Sequence, residues 1–390
     1  MSHKLINHSP DLTKLCNEGY ELEIRGGHLL VQHVPYVNAR REIKYGTLVS
    51  SLTLASERTA RPNDHVIRFI GEHPCNCDGT IISAIRLGSG NENLDAARGI
   101  IVNHSFSNKP PCGYYNDYYE KVTSYIRVIS CQAEAIDPTV TAKTNRVIES
   151  TDEESVFNYL DTNSTHAEIV NISAKLEKQK VAIIGLGGTG SYVLDFVAKT
   201  PVKEIHLFDK DVFLQHNAFR SPGAASVEQL ASQPKKVKYL HEIYSKMRKF
   251  IFVHEHHVDA SNLDQLAGVS FVFICIDNSP AKKAILEKLI GAGIPFVDVG
   301  IGVQTLDGAL SGSVRVTTGT PAKNDHIKDR IPFAENGEDA YAQNIQIAEL
   351  NALNAALAVI KWKKLLGFYH DLEKEANSVY EINVNRLMND

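Results

Sequence analysis

The sequence predicts an α/β protein. Its C-terminal half reads as a mostly parallel sheet with helices on both faces, and a smaller, strand-rich α+β domain precedes it. Three observations carry this. The chain has 390 residues, which at about 150 residues per domain means two or three domains. From residue 179 onward, apolar runs rich in Val, Ile and Phe alternate with helix-spaced stretches, the pattern of parallel strands joined by crossover helices. Before residue 146 that alternation is missing.

Taken in order, residues 1–145 are rich in His, Tyr and Pro, and turn residues punctuate short extended runs such as HLLVQHVPYV and HVIRFIG, which read as strands. Residues 146–178 are first polar and acidic and then carry helix-spaced apolar positions, a linker passing into a lead-in helix. Residues 179–390 form the third part. Its strands are KVAIIGL, EIHLFD, FIFVHEHHV, VSFVFICI and IPFVDVG, with helical stretches near 190–199, 226–248 and 279–291. A long amphipathic helix is expected from Gln343 to Leu366, with Ile347, Leu350, Leu353 or Asn354, Leu357 and Ile360 on its apolar face.

Composition narrows the function. Hydrophobic residues make up 43% of the chain and charged residues 22%, enough for real cores and too much for disorder. Net charge is 41 minus 46, or −5, with no basic block, which argues against a nucleic-acid or anionic-membrane partner. The best apolar run, residues 269–276, is strand-sized and falls short of the ~18 residues of a spanning helix. The N-terminal residues lack an apolar signal region. Five of the six cysteines (Cys16, Cys75, Cys77, Cys112, Cys131) lie before residue 132, and Cys275 sits inside an apolar strand. This is no disulfide framework, and the expected compartment is the cytoplasm.

The strand KVAIIG runs into Gly185-Leu186-Gly187-Gly188-Thr189-Gly190 and then a helix. Glycines let such a turn approach a phosphate, and the helix behind it aims free N–H groups and a positive dipole end at the anion. Asp209 ends the second strand about 20 residues on, where a carboxylate accepts from a ribose. The order strand, turn, helix, acid is that of a Rossmann-like nucleotide site, and it leaves NAD and ATP both open. Asp209 and Asp277 fall at the carboxyl edges of two strands, where ligands sit in an open sheet. Asp277 could merely cap a helix, and Arg220 and Lys235 could be solvated charges. Taken together, Asp277 suits a magnesium ion on phosphates, and Arg220 and Lys235 supply the positive charge of phosphoryl chemistry.

Residues 165–366 resemble the ThiF/MoeB superfamily, the adenylating fold shared with ubiquitin-activating enzymes. The matching pieces are the GLGGTGS turn, the D-x-D of Asp209 and Asp211, N-x-x-R in HNAFR, Q-P-K in QPKKVKYL, C-x-D-N in CIDN, and the late helix IQIAELNALNAALAVIKWKKLLG. The resemblance implies that Gly185, Gly187, Gly188 and Gly190 cradle the phosphates, that Asp209 binds the ribose, with Asp211 as the second acidic position, that Asn217, Arg220 and Lys235 contact phosphates, and that Asp277 holds magnesium. It implies ATP- and Mg2+-dependent adenylation of the C-terminal carboxylate of a ubiquitin-like or other β-grasp protein, with release of pyrophosphate, by a homodimer. The whole chain looks like the bacterial members that bear an extra N-terminal domain and accompany ubiquitin-like modifiers.

The sequence departs from the family in three ways. Where relatives carry the first of two C-x-x-C zinc pairs, this chain reads Thr320-Pro321-Ala322-Lys323-Asn324-Asp325, and no Cys follows Cys275, so no zinc is expected. The nucleophilic Cys beyond C-x-D-N is absent, Cys275 reads as a buried strand residue, and the chain either stops at the adenylate or draws a nucleophile from elsewhere. Ser311, Ser313, Thr317, Thr318 and Thr320 are hydroxyls in that stretch, with no base beside them. The Arg expected before the first strand is missing, and that segment offers only His166.

In the N-terminal part, His73, Cys75, Cys77, His104 and Cys112 are metal-capable but poorly spaced for zinc, and read as turn and core residues. PNDHVIRFIGEHPCNCDGTII is similar to the ubiquitin-conjugating-enzyme stretch before the catalytic Cys, whose place Ile82 takes, with Ser83 next. The likeness implies a module that holds a protein partner without the usual thiol. Other readings stay open: a sulfur-carrier adenylyltransferase of cofactor biosynthesis, an NAD-dependent oxidoreductase, and a non-catalytic scaffold that binds a modifier. Arg220, Lys235 and Asp277 count against the oxidoreductase.

Overall fold

The computed structural model describes residues 2–55, 58–95, 99–146, 155–159, 161, 163–164, 169–277, 280–331 and 345–390. His166, Asn278, Gln343 and parts of the expected linker, 147–154 and 165–168 among them, lie outside them. The chain divides into two units, Met1–Ser155 with Tyr159–Val170, and Val156–Asn158 with Asn171–Asp390. The short piece Val156–Asn158 joins the second unit through backbone and side-chain bonds. Asn158 N donates to Met247 O (2.9 Å) and Lys249 N to Val156 O (2.7 Å), and Asn158 Nδ2 donates to Ser245 O (2.7 Å).

In the first unit, alternation of apolar and polar residues makes strands with one covered face. These are β1 (Leu22–Arg25), β2 (His28–Val37), β3 (Ile43–Ser51), β4 (Leu54–Ala55), β5 (Arg58–Thr59), β6 (Val66–Ile70), β7 (Arg86–Asp95) and β8 (Ile100–Ser107). Six of them form an antiparallel sheet in the order β1-β2-β3-β6-β8-β7. A long helix, Tyr118–Ile136, starts at Asp117, whose side chain accepts from Glu120 N, and buries Tyr118, Val122, Tyr125 and Ile129. These pack with Leu29, Val31, Leu48, Phe69 and Phe106 of the sheet into one core. The unit is thus the strand-rich α+β fold that the sequence suggests.

The second unit holds β9 (Lys180–Ile184), β10 (Glu204–Phe208), β11 (Ile251–His254), β12 (Phe271–Ile274), β13 (Phe296–Leu306), β14 (Ala309–Gly319), β15 (Asn377–Glu381) and β16 (Arg386–Asn389). They make one sheet in the order β11-β10-β9-β12-β13-β14-β15-β16. The first five are parallel to their neighbours, and the last three are antiparallel. The five parallel strands are the five apolar runs read in the sequence. β13 runs on past the parallel sheet, turns at Asp307 and Gly308, both with positive φ, and returns as β14.

Two expected helices differ. The stretch 226–248 forms two, Val227–Ala231 and Lys236–Tyr244. Between them Gln233 takes a φ of 48°, and Pro234 has no N–H to donate, so one helix cannot run through. The last long helix spans Ala348–Leu365 and buries Asn351, Asn354, Ala355, Ala358, Val359 and Trp362. The expected face is therefore wrong except at Asn354: Ile360 is exposed, and Leu350, Leu353 and Leu357 are only partly covered. Small residues let this helix lie close on its neighbours, and the leucines are left on its flank.

Candidate functional site

Strand register builds the site. Ile184 pairs with Phe208 on one side and with Ile274 on the other, and Ile274 pairs with Asp298. The next residues, Asp209, Gly185, Cys275 and Val299, therefore leave the sheet side by side at its carboxyl edge. Sheet order reverses between β9 and β12, the switch point at which open α/β sheets bind ligands. A cavity of about 460 Å³ opens there, lined by residues from all four strand ends and by Gln346 and Asn354 near the late helix.

The glycine turn forms one wall. Gly185 has a φ of 87°, and a Cβ there would lie 2.6 Å from Cys275 O, so only glycine fits. A Cβ on Gly190 would lie 1.9 Å from Gly185 O, which explains how the helix Gly188–Ala198 starts so close behind the turn. At Gly187 a Cβ would meet nothing within 4 Å, and this residue lines the cavity, so its backbone is open to a ligand. Gly188 is pressed from behind by Asn351, whose Oδ1 accepts from Thr189 Oγ1 (2.9 Å).

Asp209 is buried and holds two turns together. Its Oδ2 accepts from Leu186 N (2.7 Å) and its Oδ1 from Asp211 N (2.8 Å). Lys236 Nζ reaches Asp211 Oδ2 at 2.9 Å and Asp209 Oδ2 at 3.8 Å. The Lys236 hydrogen bond, against the effect of burial, holds the Asp211 carboxyl below its usual range. His257 Nε2 stands 3.8 Å from Asp211 Oδ1 and also lines the cavity. Across the glycine turn, Arg220 and Asp277 line the same cavity. Burial lowers the Arg220 pKa, and the Asp277 carboxylate pulls it back up. Arg220 Nε is buried with no hydrogen-bond partner among the described residues.

The structure brings Gly185, Gly187, Gly188, Asp209, Asp211, Arg220 and Asp277 together around the cavity. Gly190 stands behind the turn. Asn217 and Lys235 are not among the lining residues: Asn217 Oδ1 accepts from Leu214 N (2.9 Å), and Lys235 Nζ donates to Lys210 O (2.6 Å). The cation that does line the cavity is the next residue, Lys236. Sequence reasoning also missed His257, Asn351 and Asn354. Two asparagines at i and i+3, within the Ala- and Leu-rich stretch from Leu350 to Ile360, were the available signal.

Cys275 lines the cavity with its thiol buried, and burial pushes its pKa well up, so it is no ready nucleophile. None of the five hydroxyls from Ser311 to Thr320 is a lining residue. Thr317 Oγ1 is buried and donates to Asn377 Oδ1 (2.8 Å). In the first unit, Ile82 is buried and Ser83 exposed. Burial raises the Cys75 thiol, whose Sγ donates to His73 O (3.3 Å). Among the described residues, no group of three or more His, Cys, Asp or Glu side chains is placed to hold a metal ion, and no helix is long and apolar enough to cross a membrane.

Known proteins are similar to parts of this chain. Over 153 residues the chain is 22% identical to "Ubiquitin-like modifier-activating enzyme 5" of Culex quinquefasciatus, covering 36% of this chain and 38% of the relative. With the protein of the same name from Dictyostelium discoideum it is 24% identical over 153 residues, 36% of this chain and 40% of the relative. The matched part thus spans about two fifths of the length of these curated relatives. Among solved structures, E. coli MccB with MccA-N7isoASN aligns at a TM-score of 0.48 and 17% identity, over 62% of this chain and 72% of that one. Residues 10–162 match a family model described as "Domain of unknown function (DUF6791)". Residues 164–387, more than half of the chain, match the model described as "ThiF family", and the chain belongs to that family.

Proposed function

We propose that this chain is an ATP- and magnesium-dependent adenylyltransferase acting on the C-terminal carboxylate of a ubiquitin-like or other β-grasp protein, in a bacterial conjugation pathway of such modifiers. One observation carries the reading. A single cavity at the switch point of the sheet is lined by an open glycine turn, the carboxylates Asp209, Asp211 and Asp277, and the cations Arg220 and Lys236. A dinucleotide oxidoreductase has no use for the last three together.

In this reading the ribose lies by Asp209 and Asp211, and the phosphates lie over Gly187 at the N-terminus of the helix Gly188–Ala198. A substrate carboxylate oxygen attacks the α-phosphorus. The bond from that phosphorus to the bridging oxygen breaks, its electron pair leaves with pyrophosphate, and an acyl-adenylate remains. No proton has to move, because a carboxylate is ionised at pH 7. The chain positions the two reactants and neutralises charge as it builds on the phosphates, the task of Arg220 and Lys236. Asp277, a hard oxygen donor beside the turn, suits magnesium, which takes one or two carboxylates together with phosphate oxygens and would supply further charge neutralisation. Lys235, bonded to Lys210 O away from the cavity lining, is left outside this group.

The first unit is read as a conjugating-enzyme-like module that holds a partner, the chain as a homodimer, and its six free thiols suit a reducing cytoplasm. Labelled pyrophosphate exchange into ATP tests the activity, with magnesium and Gly-ended β-grasp candidates. Arg220→Ala and Asp277→Ala should each cut exchange by about 10²–10³-fold with the melting temperature held. Exchange with no candidate, together with NADH binding, would sink the proposal.

A further inference from the structure

The far side of the cavity from Asp209 poses a separate question. Asn354, with no exposed surface, lines the cavity where β13 leaves the parallel sheet. Its Nδ2 donates to Gly300 O (3.0 Å). A carbonyl oxygen only accepts, so this contact fixes which way round the amide sits. Oδ1 is then left as a buried acceptor with no partner among the described residues. Whatever fills this end of the cavity must bring a donor, because an unmet buried acceptor weakens binding.

On the adenylation reading, which this inference presupposes, the candidate donors are few. Phosphates and the attacking carboxylate only accept. The ribose hydroxyls and the adenine amine belong at the β10 end, and β10 and β13 are three strand spacings apart, about 14 Å. The group bonded to the α-phosphate on the β13 side is the acyl chain. Apart from side chains, the donors of a peptide tail are its backbone N–H groups, and the last of them lies two bonds from the carboxylate carbon.

We infer that Asn354 is a specificity-determining residue: Oδ1 accepts the backbone N–H of the substrate's C-terminal residue and so selects peptide carboxylates over acids that lack that amide. Two non-hydrolysable adenylate mimics test it. One joins acetyl-Gly-Gly to adenosine through a sulfamoyl group. The other is identical except that an ester oxygen replaces the last peptide N–H. Titration calorimetry on the full wild-type chain should show the amide mimic binding about tenfold tighter than the ester. In Asn354→Leu, and in the less bulky Asn354→Ala, that ratio should fall to about one.

Equal affinity of the two mimics for the wild-type chain would overturn the inference and leave adenylation standing. A ratio that persists in both variants would overturn it as well, by placing the acceptor elsewhere. If the wild-type chain binds neither mimic nor ATP, the adenylation reading itself fails. The wild-type comparison needs no variant, so a variant that does not fold cannot rescue the idea.

Discussion

Two adjacent lysines separate the sequence reading from the structure, and exchanging each for methionine decides between them. Lys236 is buried, with Nζ 2.9 Å from Asp211 Oδ2 and 3.8 Å from Asp209 Oδ2. At an effective dielectric of about 20, charges 3.8 Å apart attract by about 4 kcal/mol. Desolvation offsets much of that, and Asp211 is half exposed, so Lys236→Met should cost about 1–3 kcal/mol of stability. For a unit of this size the melting temperature falls by about 3–10 °C. The catalytic loss is larger, about a hundredfold in kcat/KM for exchange, because the cation proposed to neutralise the phosphates goes with it. Among the described residues the Lys235 side chain makes an exposed bond to Lys210 O, and Lys235→Met should change exchange by less than about threefold and stability by about 0.5 kcal/mol at most. Both variants are read by pyrophosphate exchange and thermal melting. Exchange lost in Lys235→Met and retained in Lys236→Met would show that the geometry argument picked the wrong lysine.

The glycine turn makes a paired prediction. Gly187→Ala should melt with the wild type yet bind ATP about tenfold or more weakly by calorimetry, since its Cβ meets nothing but the cavity. Gly190→Ala should be strongly destabilised, because its Cβ would meet the Gly185 carbonyl. A third prediction concerns pH. Burial, with His206 and His256 nearby, depresses the His254 pKa from 6.5 to about 4. Neutral His254 therefore stabilises the fold above pH 6.5, and that contribution is lost as pH falls from 6.5 towards 4. In His254→Phe, which keeps a ring against Phe208, the melting temperature should fall less between pH 7 and 5. Finally, iodoacetamide on the native chain should label Cys77, Cys112 and Cys131, which are exposed. Cys275 should react only after unfolding, as peptide mass mapping would show.

Much of the fold was legible because its signals are local. The five parallel strands are short, mostly apolar runs, and the turn of Gly185 to Gly190 carries its own backbone demands. The antiparallel extension was less visible, although Asp307-Gly308 is a strong hairpin signal: β15 and β16 have mostly part-exposed or exposed residues and depend on β14 for pairing. Lys236 was out of reach for a different reason. Which of two lysines turns inward depends on where a helix begins after Pro234, a phase of one residue. The asparagines were hidden by their company. Leucines at helical spacing suggested the buried face, while close packing chose the alanines and placed Asn351 and Asn354 inward.

Asp209 has a consequence for how this chain can change. Both of its oxygens already carry backbone amides from two separate turns, so the acid proposed for the ribose is also a rivet in the rim. Drift at this position would loosen Leu186 and Asp211 before any ligand arrived. New ligand preferences therefore have to arise from its neighbours, and slowed amide exchange at Leu186 and Asp211 becomes a built-in reporter of an intact rim.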